Sequence, residues 1–183
     1  YSDVDNANLQ ISDLNITDAS GAAVGTFSET LGTWSFTPNA NINGLINISY
    51  NVYDGENKTA ASNSFNLIAI NDAPVLDPTL KASLSDATED TTYTISSSEL
   101  LQGFDDVDST NLTISGLSIA TDSPISGSLT LNSDGTSYTF RPDSNVNGIV
   151  KLSYFVTDGS DGNTLAINQF TVLPVNDAPI RTA

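Results

Sequence analysis

Residues 34–54 read WSFTPNANINGLINISYNVYD, and residues 138–158 read YTFRPDSNVNGIVKLSYFVTD. Laid over each other, Phe36 falls on Phe140, Pro38 on Pro142, Gly44 on Gly148, Tyr50 on Tyr154 and Asp54 on Asp158, each pair 104 residues apart. Downstream, NDAP at 71–74 recurs at 176–179, 105 residues on. Upstream, DVD at 3–5 recurs at 106–108, 103 residues on. A period of this length is one small domain, so the chain reads as a tandem repeat.

The repeat is out of phase with the chain. Tyr1 aligns with Phe104, so the first copy has no counterpart of Val75 to Gly103. The expected organisation is a partial domain over 1–70 lacking its first two strands, a linker at 71–74, a complete domain over 75–175 and an exit linker at 176–183. Neither an initiator Met nor a signal peptide is present, which reads as an internal piece of something longer.

The complete copy is expected to be all-β. Short alternating stretches stand near Leu76 to Leu84 and at Thr92–Ile95, Leu112–Ile119, Ser128–Leu131, Tyr138–Arg141, Ile149–Thr157 and Ala166–Val175, separated by Gly and Asn turns. No window keeps a 3.6-residue period. About seven strands with this spacing predict a Greek-key β-sandwich of Ig-like type.

Composition narrows the chemistry. Five Lys plus Arg against 22 Asp plus Glu give a formal net charge of −17. Such a surface repels phosphate, so nucleic acid and anionic membrane are poor candidates as partners and a cation is favoured. With no His and no Cys, thiol catalysis, disulfides, most zinc sites and His-activated nucleophiles are all excluded. No apolar run is long enough to insert into a membrane.

In an antiparallel sandwich the strands alternate in direction. The turn after the second strand, carrying Asp105, Asp106 and Asp108, then shares an end with the last turn, carrying Asp158, and with Asn71 and Asp72 of the linker. Glu89 and Asp90 fall at the other end, beside Asn176 and Asp177. The same logic groups Asp3, Asp5 and Asp54 in the first copy as a partial site. Crowded carboxylates either raise their pKa values or take up a cation. An all-oxygen donor set without nitrogen or sulfur matches Ca²⁺. The plain alternative is that Asp and Asn favour turns. It explains Asp161, which has no counterpart in the first copy, better than it explains acids that recur in register.

The strings VNDAP, Glu89-Asp90-Thr91, Asp106-Val107-Asp108, Asn145-Val146-Asn147-Gly148 and Val156-Thr157-Asp158-Gly159 resemble the bacterial cadherin-like tandem repeats of giant surface adhesins, many of them in the RTX group exported by type I secretion. The resemblance implies cadherin-like sandwiches with Ca²⁺ held between successive domains, neighbouring repeats as partners, and an extracellular place on the bacterial surface. One departure is that the turn where cadherins place a Glu is Asn-rich here, at Asn39–Asn43 and Asn145–Asn147.

Other signals are weaker. Sequons at Asn15, Asn47, Asn57 and Asn111 are expected by chance in so Asn-, Ser- and Thr-rich a chain. Trp34, Tyr50 and Tyr53 could stack on a sugar, but Trp34 and Tyr50 align with Tyr138 and Tyr154 and read as core. Paired acids at domain ends are not the central cleft of a glycosidase. The expectation is a non-enzymatic, Ca²⁺-stiffened extender. The alternatives are a glycan- or peptide-binding module, or a split domain carrying an inserted one. The first copy is further expected to need strands supplied from elsewhere.

Overall fold

Alternating side chains bounded by Gly and Asn turns become strands throughout the computed structural model, which describes residues 1–179. The last four residues of the expected exit linker lie outside the described residues. The chain divides into two compact units, Tyr1–Ile70 and Asn71–Ala183.

The first unit holds β1 (Gln10–Thr17), β2 (Gly25–Thr30), β3 (Thr33–Pro38), β4 (Gly44–Tyr53) and β5 (Lys58–Leu67). β1, β4 and β5 form one antiparallel sheet in that order, and β2 and β3 form a hairpin. The hairpin turns on Leu31 and Gly32, both at positive φ, as a tight two-residue connection requires. Its buried centre is small: Ile16, Val24 and Ile46.

The second unit holds β6 (Val75–Leu76), β7 (Ala87–Thr88), β8 (Tyr93–Ser96), the single-turn helix α1 (Ser97–Leu100), β9 (Phe104–Asp105), β10 (Thr113–Ile119), β11 (Gly127–Leu131), β12 (Ser137–Pro142), β13 (Gly148–Thr157) and β14 (Asn163–Leu173). One sheet runs β10-β13-β14-β7, with β7 parallel to β14 and the other pairs antiparallel. The other sheet runs β11-β12-β8, and β6 pairs with β9. This is the all-β, Ig-like sandwich that the turn spacing predicts.

β13 carries the core. Val150, Leu152, Tyr154 and Val156 are all within 1% of full burial, while Ile149 and Phe155 on the opposite face are exposed. This is the period-two pattern of a strand with one face covered. Fully burying each such side chain is worth roughly 1.5–3 kcal/mol. Ile95, Leu100 and Phe140 close over it from the facing sheet and from α1, and the Tyr154 hydroxyl donates to the Leu100 carbonyl at 3.0 Å.

Three sequence expectations need correction. The leading strand is not continuous over 76–84. Only Leu76 of it is strand, in β6, and the next strand, β7, begins at Ala87; Asp77-Pro78-Thr79 turns the chain, with the Asp77 carboxylate accepting from the Thr79 N–H and hydroxyl. A helix, short as it is, follows β8. Ser96 and Glu99 form a reciprocal capping box, an S-x-x-E signal too brief for a periodicity search. Trp34 is not core: it is 42% exposed. Its counterpart Tyr138 pairs with Ile95 of β8, whereas β3 pairs with β2 alone, leaving that side of Trp34 uncovered.

Candidate metal centre

The DVD turn builds the same local device in both units. Asp106 Oδ1 accepts from the N–H groups of Asp108 and Ser109, both at 2.8 Å. Asp3 Oδ1 accepts from the N–H groups of Asp5 and Asn6 at 2.9 and 2.8 Å. Each is a carboxylate folded back on its own backbone, which holds the turn and leaves its second oxygen free to face elsewhere. In Asp106 that second oxygen, Oδ2, is buried and has no hydrogen-bond partner. Desolvating a carboxylate oxygen without a donor is unfavourable, so the position fits a cation.

The chain entering the second unit is tied down as well. Asn71 Nδ2 donates to Asp158 Oδ2 at 2.6 Å, and the Asp72 N–H donates to Asp108 Oδ2 at 2.8 Å. The Thr164 hydroxyl donates to the Pro74 carbonyl. Gly162, in the turn between β13 and β14, completes the cradle. A Cβ there would lie 2.5 Å from Asp158 Oδ2, 2.7 Å from the Asp72 carbonyl oxygen and 2.9 Å from Asn71 Nδ2. The topology thus brings Asn71, Asp72, Asp108 and Asp158 into one bonded cluster, with Asp106 in the same turn as Asp108. Asp105, by contrast, is drawn into β9 opposite Val75.

The second group lies after β7. Glu89 is 3% exposed. Its Oε1 accepts from the Val175 N–H at 2.6 Å and its Oε2 from Asn147 Nδ2 at 3.1 Å. Asp90 adopts a left-handed conformation and accepts from the Asn145 N–H at 3.2 Å. One carboxylate oxygen from each of Glu89, Asp90 and Asp177 lies within 4.8 Å of the others. Asn176 turns instead to the Asp177 carbonyl. Among the described residues this is the one set of three carboxylates that converges so closely; Asp72, Asp106, Asp108 and Asp158 do not, nor do Asp3, Asp5 and Asp54. In the first unit, Asn6 Nδ2 donates to the Asp54 carbonyl, tying the DVD turn to the last turn through backbone rather than through carboxylates.

Asn145, Asn147, Asn6 and Gly162 are the residues that sequence reasoning did not assign. The Asn-rich turn before β13, set aside as a departure, is what reaches Glu89 and Asp90. Gly162 had a usable signal. The repeat offset changes from 104 at Asp158 to 105 by Asn163, so the one-residue insertion falls in this turn.

The electrostatics are those of ionised acids. The Asn71 amide, then the Ser160 N–H, hold the Asp158 carboxyl below the usual carboxylate range. The N–H groups of Asn57 and Glu56 do the same for Asp54. A carboxyl with a lowered folded pKa contributes stability that is complete above its unfolded value, near pH 4, and lost as pH falls through the folded value. In chelator, melting temperatures of the protein are therefore expected to stay level from neutral pH to about pH 5 and to fall below about pH 4. Asp158→Asn is expected to flatten part of that acid limb. A limb identical in the variant and the parent would remove Asp158 from the account.

The family model for a cadherin-like domain matches residues 1–68 and 70–173, and the chain belongs to that family. Such a domain marks an extracellular module of the adhesion or spacer type, non-enzymatic in kind, and cadherin-like domains generally bind Ca²⁺. No curated protein matches the chain. Among solved structures, an endo-fucoidan hydrolase of glycoside hydrolase family 107 is 22% identical at a TM-score of 0.38, with 90% of this chain and 24% of that one covered. The cadherin-like domains 1 to 4 of zebrafish RET are 19% identical at 0.33, covering 92% and 42%. Titin Ig tandem domains are 10% identical at 0.30, covering 93% and 91%. The chain thus spans about a quarter of the hydrolase.

Proposed function

We propose that this chain is a Ca²⁺-stiffened extender segment of a large bacterial surface adhesin, projecting ligand-binding modules away from the cell. The observation that carries it is the nest around residues 71–72. Linker groups are hydrogen-bonded to Asp108 and Asp158, and Asp106, in the same turn as Asp108, has a buried carboxylate oxygen with no partner. Asn71, Asp72, Asp106, Asp108 and Asp158 would hold one ion. Glu89, Asp90, Asn176 and Asp177 would hold a second, and Asp3, Asp5 and Asp54 contribute a partial set. When bound, Ca²⁺ supplies the positive charge and the demand for six to eight oxygen ligands that such sets meet. The protein's own part is to fix the chain at 71–72 against two turns and to keep unlike donors out. The RTX affiliation, and a role in biofilm-type adhesion, rest on the VNDAP, DVD and VTDG strings.

The test is a comparison of scattering profiles and calcium titrations. For the parent protein, Ca²⁺ is expected to convert a broad ensemble of arrangements of the two units into a narrow one. Asp106→Ala with Asp108→Ala is expected to weaken Ca²⁺ binding at this site at least tenfold and to restore the broad ensemble, while Asp161→Ala leaves both unchanged. A parent profile indifferent to Ca²⁺ would rule out stiffening.

A further inference from the structure

One face of the β10-β13-β14-β7 sheet covers the core of the second unit, and the other is apolar as well. On that outer face Phe155 of β13 is 44% exposed, and Leu165 and Ile167 of β14 are 58% and 55% exposed. Leu165 stands directly opposite Phe155, and Ile167 stands opposite Ser153, two residues along. Direct and diagonal neighbours on one face of a sheet are within reach of each other, so the three side chains form one patch. Ile149 and Leu173, exposed on the same face, extend it toward the start of β13.

The first unit shows that the fold does not require this. Phe155, Leu165 and Ile167 align with Asn51, Ala60 and Ser62, and the pairings recur: Asn51 opposite Ala60, Ser49 opposite Ser62. The neighbouring strand makes the same contrast. β1 and β10 slip register at the same place, just after Ser12 and Ser115, and the next residue in each is left-handed, Asp13 at φ 55° and Gly116 at φ 62°. Asp13 Oδ2 accepts from Lys58 Nζ at 2.7 Å and from Asn51 Nδ2 at 2.8 Å, a polar network across the face. Gly116 offers no side chain, and the Phe155 ring lies 3.7 Å from where a Cβ would stand. The same bulge thus carries a charged network in one unit and an exposed ring in the other. An apolar patch that the fold can do without marks a contact surface.

We propose that this outer face docks on the same face of a second copy of the chain. Charge selects the occupant. β10, β13 and β14 contain no Asp or Glu, in a chain that has 22. Their one charged residue is Lys151, whose ammonium meets Asp122 at 2.6 Å. An acidic partner is repelled by the net charge of −17, and a basic partner is drawn to the acidic turns, because these strands offer it no carboxylate. A second copy brings an apolar sheet face without acids. It also brings one cation and one anion, which a two-fold axis sets against their opposites, Lys151 of each protomer toward Asp122 of its partner. The outer face of the first unit is a poor substitute, since Asn51, Ser62 and the Asp13–Lys58 pair would have to be desolvated. At about 4.8 Å between strands and about 3.3 Å per residue, three strands present roughly 400 Å² each side, so the pair buries less than the roughly 1,200 Å² of stable complexes. The contact is therefore weak between free chains. Where extenders stand together on one surface, as proposed above, local concentration reinforces it.

The experiment is sedimentation equilibrium of the full chain with Ca²⁺ and with chelator, at an ionic strength of about 0.15 M, which limits charge repulsion to about 8 Å. The average mass of the parent is expected to climb from one chain toward two, with half dimer reached between about 0.1 and 1 mM. Phe155→Asn with Leu165→Ala and Ile167→Ser, which gives the second unit the outer face of the first, is expected to weaken the association at least tenfold. A second measurement does not depend on how well that variant folds. The chain has no Cys, so a single Ser153→Cys beside the patch reports on it, and Ser49→Cys at the aligned position of β4 is the control. Disulfide-linked dimer is expected to form at least tenfold faster through Ser153→Cys. A parent that stays monomeric to about 1 mM overturns the proposal. So does association that the triple substitution leaves unchanged, or equal cross-linking through the two cysteines. Association that appears only with Ca²⁺ and ignores the triple substitution is metal bridging of acidic turns, and it overturns the docking face while leaving the calcium reading in place.

Discussion

Adding EDTA to the protein is expected to lower the melting temperature of the second unit by roughly 10 °C or more. A ligand present at a hundred times its Kd stabilises the folded state by about 2.7 kcal/mol per site. Ca²⁺ at about 1 mM reaches that ratio if a site has a Kd near 10 µM, within the range of oxygen-ligand sites. In a domain of about 100 residues each kcal/mol moves the melting temperature by about 4–8 °C. The two proposed sites in this unit, around Asp106 and around Glu89, make the expected effect additive so long as both are filled. The physical cause is the net charge of −17 gathered partly at turns: stripped of cations, Glu89, Asp90 and Asp177 repel one another within 4.8 Å. Calorimetry with and without chelator measures the shift. A curve unmoved by EDTA, with Mg²⁺ and Na⁺ held constant, would remove the metal from the account.

Much of this architecture was legible because a repeat compares the chain with itself. Phe36 against Phe140 and Tyr50 against Tyr154 gave the register before any strand was assigned, and the alternation over Ile149–Thr157 marked a strand. Topology did the rest: antiparallel alternation alone places the DVD turn and Asp158 at one end, and hydrogen bonds from Asn71 and Asp72 are found there. What was not legible depends on contacts without periodicity. The break at Asp77-Pro78 and the capping box at Ser96 are local bonding choices of two or three residues. Trp34 misled because its alignment partner Tyr138 is itself only half-buried, beside β8, a strand the first unit lacks among its described residues. Burial belongs to the pair of surfaces, so a residue can conserve its place in a strand and lose its cover.

Gly162→Ala is expected to weaken Ca²⁺ binding at the 71–72 nest at least tenfold, a loss of about 1.4 kcal/mol. The backbone at Gly162 does not require glycine for its φ; the requirement is space. An added Cβ meets Asp158 Oδ2 at 2.5 Å and Asn71 Nδ2 at 2.9 Å, and either of those side chains could rotate away. The Asp72 carbonyl at 2.7 Å cannot, because it is backbone, and moving it drags the 71–72 segment off Asp108 and Asp158. Overpacking of this kind also destabilises the metal-free fold, by about 1–3 kcal/mol. Gly159→Ala in the same turn is the control. Gly159 sits at φ 85° in open space, so alanine there brings backbone strain of about 1–2 kcal/mol without touching the nest. Titration calorimetry should then resolve two classes of site in the parent. The class around Asp106 is lost or weakened in Gly162→Ala, the class around Glu89, Asp90 and Asp177 is retained, and both are retained in Gly159→Ala. Equal weakening of both classes would mean that the substitution acts through global stability. Unchanged affinity would mean that the cradle beneath Asn71 and Asp72 is packing alone.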